Sequence, residues 1–103
     1  MREFDRFIDI IKTLRGENGC PWDRKQTIES MAKYLREETQ EVVEEIEKGS
    51  DEGVCEELGD VLLIVAMMAQ IAQDENRFDI AAVLEGISDK LVRRHPHVFG
   101  GLE

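Results

Sequence analysis

The sequence predicts an all-α protein built as a small four-helix bundle. Glu, Lys, Arg, Leu, Ala and Met are common, whereas β-branched runs are scarce, and this composition favours helix. Apolar residues recur at helical spacing in four segments, and no segment shows the strict alternation of a half-buried strand. The chain has 103 residues, of which 42% are apolar and 35% charged, so residues 1–103 are expected to form a single globular domain.

The first predicted helix spans residues 4–15, and its apolar side chains recur every three or four residues along one face. A loop is expected from residue 17 to residue 25, because Gly19 and Pro21 oppose a continued helix. Trp22, the one tryptophan of the chain, lies in this segment. Composition favours a structural role in which the Trp22 ring covers one end of the core. The functional alternative is that the ring forms a flat surface beside a nucleobase.

Two long helices are predicted in the middle of the chain. One spans residues 27–48, and the next begins at residue 51 or 52 and ends at residue 75, with Gly49 and Ser50 between them. The segment Val61–Ala72 is apolar almost all round, so it must lie centrally in the fold or be buried by a partner. A unit this small cannot easily cover it alone, which predicts a homo-oligomer, either a homodimer or a dimer of dimers.

The last predicted helix spans residues 80–94, with Asp79 as its N-cap and Pro96 just after its end. Gly86 lies in the middle of this helix, where glycine costs roughly 1 kcal/mol relative to alanine. Close approach of a neighbouring helix would explain that glycine. The tail from residue 97 to residue 103 is expected to be short and extended.

Charge and hydropathy exclude two classes of partner. The formal net charge is -10, from 23 acidic and 13 basic residues, so most of the surface would repel nucleic acid. The longest apolar run, Val61–Ala69, is far shorter than the ~20 residues that span a bilayer. The acidic N-terminus is also unlike a signal peptide. A cytoplasmic protein without membrane contact is therefore expected.

Cys20 and Cys55 are the only cysteines of the chain, too few for a disulfide framework and suited to a reducing compartment. A zinc site shared with His95 and His97 would have no standard finger spacing. Both cysteines are therefore expected to be small buried apolar residues, and both histidines to serve the structure.

Two acidic motifs of similar spacing are the strongest functional signal. The first long helix contains Glu37-Glu38-x-x-Glu41, and the second contains Glu57-x-x-Asp60. Residues three apart lie one turn apart on nearly the same helix face, where like charges repel. On a helical projection Glu38 falls on the border of the apolar face, and Glu57 falls between apolar neighbours. Acids placed there cost free energy unless they are paired or bound to metal.

Carboxylates from two adjacent helices can bind a hard divalent cation. Their oxygen ligands suit Mg²⁺ or Mn²⁺, and magnesium is the usual choice for phosphate chemistry. One or two such ions would polarise phosphoryl oxygens and activate a water. A solvated acidic face is the alternative, and a redox di-iron site is disfavoured because no histidine lies three residues after these acids. The predicted ligands are Glu38, Glu41, Glu57 and Asp60.

Basic residues concentrate at the end of the last predicted helix. Lys90 and Arg94 are four residues apart and share one face. Favourable interaction with the helix dipole explains them in part. Opposite an acidic metal site, the same pair would hold the phosphates of a triphosphate.

These motifs together resemble the MazG family of nucleoside triphosphate pyrophosphohydrolases over nearly the whole chain. The acidic pair alone is moderately specific, and the flanking motifs make the resemblance strong. The matching segments are Gly19-Cys20-Pro21-Trp22-Asp23, Gln26-Thr27, Glu37-Glu38-x-x-Glu41, Glu56-Glu57-Leu58-Gly59-Asp60 and residues 90–99.

The resemblance implies an all-α, dimeric fold and Mg²⁺-dependent hydrolysis of ribo- or deoxynucleoside triphosphates between the α- and β-phosphates. The products would be a nucleoside monophosphate and pyrophosphate, formed by in-line attack of a metal-activated water on phosphorus. It assigns metal ligation to the four acids named above, with Glu38 and Glu41 also counted as catalytic.

The resemblance gives a supporting catalytic role to Glu37, at the water or at a second ion. It also implies that Lys90 and Arg94 hold phosphates. Trp22 is taken with them as a substrate contact, beside the base.

Two rival functions stay open on the sequence alone. One is a catalytically weak or inactive nucleotide-binding or regulatory module of the same fold. In its favour, Tyr34, beside Lys33, stands three residues before Glu37, where some active relatives carry a basic residue. The other rival is a purely structural helical dimer whose acids are exposed to solvent.

Overall fold

The structure, a computed structural model, describes residues 1–100. Within that range the backbone forms six α-helices and no strand, which confirms the predicted all-α class. No helix in the described range is long and apolar enough to cross a bilayer. In chain order the helices are α1 (Arg2–Arg15), α2 (Pro21–Lys25), α3 (Ile28–Lys48), α4 (Asp51–Asp74), α5 (Ile80–Arg94) and α6 (Pro96–Phe99).

Helices α3 and α4 form an αα-hairpin whose ends are fixed by local side-chain chemistry. The Thr27 hydroxyl accepts a hydrogen bond from the backbone N–H of Ser30, and the Ser30 hydroxyl accepts one from Thr27, so α3 begins with a capping box. Gly49 ends α3 in the left-handed conformation, at φ 74°. Ser50 then caps α4 by accepting from the N–H of Gly53. A two-residue turn therefore places α3 and α4 antiparallel.

The hydrophobic core lies in the half of this hairpin that is remote from the turn. Helix α1 packs across α4 there. Isoleucine and methionine side chains fill the contact, as the predicted apolar stripes require. The largest fully buried side chains are Ile11, Met31, Met67 and Ile71.

One face of α4 and nearly all of α5 stay uncovered. Within residues 1–100, α5 packs only against α4 and α6. Leu62 of α4 is 54% exposed, and Leu84 and Leu91 of α5 are 44% and 48% exposed. The radius of gyration is 16.2 Å, whereas a compact chain of this length has about 13 Å. The Val61–Ala72 segment is thus buried on one side only, as expected of a helix that lies at an interface between subunits. The homodimer stays a prediction.

Two segments expected to be irregular contain short helices. Pro21 begins α2 inside the predicted loop, and proline suits the first helical position because its missing N–H would have no partner there. Pro96 begins α6 inside the predicted extended tail for the same reason. The remainder of that tail, residues 101–103, lies outside the described residues.

Two packing expectations are wrong for the single subunit. A Cβ built on Gly86 would meet nothing within 4 Å in the described structure, so no neighbouring helix approaches that glycine closely. Cys55 is exposed on α4 rather than buried, and Cys20 is partly buried. Gly86 lies on α5 and Cys55 on α4, the two helices that the single subunit leaves partly uncovered.

Arg15 ties three helices together at the C-terminal end of α1. Its guanidinium donates to the carbonyl oxygens of Asp23, at 2.7 Å, and Gln26, at 3.0 Å. It also forms an ion pair with Asp74 of α4, at 3.0 Å. The Arg15 side chain is only 10% exposed and its bonds to the two carbonyl oxygens are half-buried, whereas Asp74 is 40% exposed. The segment that carries Trp22 is thereby fixed to α1 and α4.

Arg15→Ala is expected to lower the free energy of unfolding by about 2 kcal/mol, because it leaves half-buried carbonyl oxygens and a carboxylate without their donor. Urea denaturation followed by circular dichroism measures the loss. Arg2→Ala, which removes an exposed arginine from the same helix, should change the free energy by less than about 0.5 kcal/mol. Equal urea midpoints for the two variants would contradict the assigned role of Arg15.

Candidate metal centre

The four predicted acids meet where α3 and α4 face each other. Glu38 and Glu41 lie one turn apart on α3, and Glu57 and Asp60 lie one turn apart on α4. One carboxylate oxygen from each residue lies within 4.8 Å of the other three. Among residues 1–100 this is the one group of His, Cys, Asp or Glu with such geometry, so the cysteines and histidines form no comparable cluster.

Two oxygens of this cluster are buried without a hydrogen-bond partner in the described structure. They are Oε2 of Glu38 and Oε2 of Glu57. A buried polar atom without a partner costs free energy, and native proteins almost always satisfy such atoms. The cluster therefore calls for a bound proton or cation between the two helices.

The electrostatics of the cluster favour proton retention when no cation is bound. Burial is the largest cause that raises the pKa of Glu38 above its ordinary value, and Glu41 adds to the rise. The pKa of Glu57 is raised to about 7, first by a hydrogen bond with Glu41 and then by burial. At neutral pH protons and a divalent cation therefore compete for these carboxylates.

In the presence of a chelator, the protein is expected to lose stability as the pH rises from 4.5 to about 7. The folded-state pKa of Glu57, about 7, exceeds its ordinary value of 4.5, so the folded state binds more protons than the unfolded state in this interval. The contribution of the Glu57 proton to stability is complete below pH 4.5 and is lost as the pH rises through about 7. Thermal denaturation at about pH 5 and about pH 8 measures the difference in Tm.

Glu57→Gln is expected to flatten this pH dependence, because the amide does not titrate. Glu47→Gln, which removes an exposed acid of α3 outside the cluster, should keep it. Addition of Mg²⁺ at the higher pH should raise the Tm of the unaltered protein, since a ligand of the folded state stabilises it. A Tm that rises with pH through this interval without metal would contradict the assignment.

The residues present fit a hard divalent cation. All four ligand groups are carboxylates, the donors that Mg²⁺ and Mn²⁺ prefer. Two ligand oxygens on opposite sides of Mg²⁺ lie about 4.2 Å apart, so a spread of 4.8 Å closes on the ion with a small side-chain adjustment. Glu41 is exposed whereas Glu38 and Glu57 are half-buried, so the cluster opens to solvent on one side. A substrate can approach from there.

The other predicted site residues are not gathered at the cluster. Glu37 is exposed and is not one of the four clustered acids, although it immediately precedes Glu38 on α3. Lys90 and Arg94 are exposed on α5. Within residues 1–100 that helix has no contact with α3, so these two basic side chains are separated from the α3 acids by the architecture of a single subunit.

Trp22 lies on α2 and packs edge-on against Tyr34 of α3, with ring centroids 5.6 Å apart. Trp22 is 49% exposed, so it covers Tyr34 and leaves half of its surface free. The Lys33 ammonium lies 5.0 Å from the centre of the Tyr34 ring. Tyr34 is one turn before Glu38, which places this aromatic pair next to the acidic cluster on α3.

Lys48 is a site neighbour that the sequence analysis missed. It lines a cavity of about 330 Å³ together with acids of both long helices. The available signal was its spacing, since Lys48 follows Glu41 by seven residues and therefore lies two turns along the same face of α3. The other lining residues are Glu41, Glu44, Glu45 and Glu57.

The fold and the cluster together define an all-α protein with four carboxylates gathered between two antiparallel helices, a donor set that could hold a divalent cation. Residues 26–99, which include α3, α4 and all four acids, match the family described as the MazG nucleotide pyrophosphohydrolase domain. The chain belongs to that family, which confirms the resemblance found in the sequence.

Similar proteins cover nearly all of the chain. It is 55% identical over 97 residues to the uncharacterized protein YabN of Bacillus subtilis (strain 168), a match that covers 94% of this chain and 20% of that protein. It is 50% identical over 97 residues to a Thermotoga maritima protein named nucleoside triphosphate pyrophosphohydrolase/pyrophosphatase MazG, covering 94% of this chain and 38% of that protein. The chain therefore spans well under half the length of these curated relatives.

A solved structure supports the fold. The crystal structure of a mazG-related protein from Thermotoga maritima superimposes with a TM-score of 0.79 and 30% sequence identity. The match covers 96% of this chain and 85% of that chain. The arrangement of α1 to α6 is thus that of the family.

Proposed function

We propose that the chain hydrolyses ribo- or deoxynucleoside triphosphates to a nucleoside monophosphate and pyrophosphate, with Mg²⁺ or Mn²⁺ as the cofactor. The observation that carries this proposal is the cluster of four carboxylates, in which Glu38 and Glu57 each present a buried oxygen without a partner. Membership of the MazG family supports a nucleotide as the substrate. Free cysteines suit a reducing, cytoplasmic setting.

The four clustered acids hold the cation, and neighbouring residues act on the substrate. Bound Mg²⁺ supplies Lewis-acid neutralisation of phosphoryl charge and makes a water more acidic. Glu37 is exposed and precedes the ligand Glu38 in the chain, and its carboxylate would orient a water for in-line attack on phosphorus. The ligands are Glu38, Glu41, Glu57 and Asp60.

Lys90 and Arg94 act on the phosphates from the second subunit of a homodimer. Within one subunit, α5 leaves the hairpin after α4 and does not contact α3. Its apolar side chains Leu84 and Leu91 are exposed beside the uncovered face of α4, as expected of a surface that a second copy buries. In such a dimer, basic residues of one copy complete the acidic site of the other.

Trp22 binds the base. Half of its surface is free, its ring is held by Tyr34, and Arg15 fixes the segment that carries it. An aromatic ring accepts any nucleobase by stacking, worth about 1–3 kcal/mol per base. Trp22→Ala should therefore raise KM for the triphosphate more than it lowers kcat.

Release of pyrophosphate from a panel of ribo- and deoxynucleoside triphosphates tests the proposed function. Turnover with Mg²⁺ or Mn²⁺ that stops on addition of a chelator is expected. Tight binding of a non-hydrolysable triphosphate without turnover would instead favour the inactive nucleotide-binding or regulatory module. If the protein neither binds nor hydrolyses triphosphates, the remaining alternative is a structural helical dimer.

A further inference from the structure

A polar cavity adjoins the acidic cluster on the side of the hairpin turn. Its volume is about 330 Å³. Glu41 and Glu57 belong both to the cluster and to the cavity lining, so the cavity opens directly onto the candidate metal centre. Among the described residues, Lys48 is the one basic side chain in that lining. A group bound in the cavity would therefore lie between the cation and the Lys48 ammonium.

The local packing directs Lys48 to this cavity. Its Nζ lies 3.1 Å from Oε2 of Glu45, one turn earlier on α3. A Cβ on Gly53 would overlap the Glu45 carboxylate, so the absence of a side chain at Gly53 lets Glu45 lie over the first turn of α4. Glu45 is only 21% exposed, and it holds the Lys48 ammonium beside the cavity.

This ion pair leaves Lys48 available to a ligand. The Lys48 side chain is 68% exposed, and an exposed pair between residues one turn apart contributes only a few tenths of a kcal/mol. An ammonium has three donors, and the bond to Glu45 uses one of them. A phosphate group offers more negative charge and more acceptor oxygens than the single Glu45 carboxylate. The other lining residues are all glutamates and would repel a phosphate, so Lys48 binds phosphate together with the cation that the cluster holds.

We propose that Lys48 is a phosphate-binding residue that contacts the terminal phosphates of a nucleoside triphosphate from the same subunit as the acidic cluster. The inference deepens the proposed function and rests on it. The phosphates leave the reaction as pyrophosphate, so the cavity is also the place where pyrophosphate is held after cleavage. Within the described range α5 packs against α4 and α6 and not against α3, so the contact from Lys48 on α3 is separate from the one proposed for Lys90 and Arg94.

Binding of inorganic pyrophosphate with Mg²⁺, measured by calorimetry, tests the assignment without relying on turnover. Lys48→Gln should weaken binding about tenfold, the effect expected for one charge-assisted hydrogen bond. Lys48→Arg should restore most of the affinity. Lys12→Gln removes the same charge from an exposed position on α1 and should leave the affinity unchanged.

The affinity for Mg²⁺ alone is a second measurement, and Lys48→Gln should not lower it as it lowers the affinity for pyrophosphate. Lys48→Gln should bind Mg²⁺ at least as tightly as the unaltered protein, because a positive charge near the acids has been removed. A variant that loses affinity for both Mg²⁺ and pyrophosphate has a disrupted cavity, which would overturn the specific phosphate contact.

Two further outcomes would also overturn the proposal: equal pyrophosphate affinity for Lys48→Gln and Lys12→Gln, and no binding of pyrophosphate with Mg²⁺ by the unaltered protein. A protein that binds pyrophosphate through Lys48 and releases none from triphosphates would refute the proposed hydrolysis and keep the Lys48 assignment. The two failures are therefore distinguishable.

Discussion

Glu41→Gln is expected to lower Mg²⁺-dependent release of pyrophosphate by at least about a hundredfold, since loss of a group that positions the metal costs this much or more. The amide keeps the size of the side chain and removes one negative charge from the four-acid cluster. Glu41 is exposed, so the helical circular dichroism should stay unchanged. The measurements are initial rates of pyrophosphate release and calorimetric affinity for Mg²⁺, which should fall together.

Glu47→Gln is the matched control for this variant. Glu47 is an exposed acid of the same helix, it lies outside the cluster, and its loss changes the net charge equally. Its rate should stay within about twofold of the unaltered protein, as expected for a distant surface charge in physiological salt. Full activity in Glu41→Gln would show that Glu41 is not needed at the site, and it would weaken the assignment of the whole cluster as a metal site.

The elements that sequence reasoning predicted well are those whose signals are local. Helix α5 begins and ends as predicted, because Asp79 caps the first turn and Pro96 follows the last. The boundary between α3 and α4 was equally clear, since Gly49 adopts the left-handed conformation there. Helix α2 was missed because Pro21 opposes a continued helix and also begins a new one, and one sequence pattern cannot separate these effects.

At the candidate site, too, the sequence predicted the features that depend on local spacing and not those that depend on how distant helices are placed. Spacing within each helix predicted two acidic pairs, and the short turn after Lys48 was enough to bring them face to face. Spacing within α5 also predicted that Lys90 and Arg94 share a face, and it carried no information on the position of α5 relative to α3. The α5 face that periodicity assigned to a core is exposed in the subunit. The homodimer predicted from the sequence would bury it.

A mixture of two inactive variants is expected to recover activity if the basic residues act on the partner's site. Glu41→Gln removes a metal ligand, and the double variant Lys90→Ala/Arg94→Ala removes the phosphate clamp. In a mixed dimer, one of the two sites receives intact acids from one copy and an intact clamp from the other. Random exchange of subunits gives half mixed dimers, so the recovered rate should approach roughly a quarter of that of the unaltered protein.

A mixture of Glu41→Gln with Glu57→Gln is the control that makes this result specific. Both substitutions damage the acidic half of the site, so every site in the mixed dimer lacks one ligand and no activity should return. Light scattering establishes whether the protein is a dimer, and refolding from a urea-denatured mixture ensures that the subunits exchange. Recovery in both mixtures, or in neither after exchange, would contradict a clamp supplied by the partner. Recovery in the first mixture alone would show that the exposed faces of α4 and α5 serve the chemistry, because burying them in a dimer brings Lys90 and Arg94 of one copy to the acids of the other.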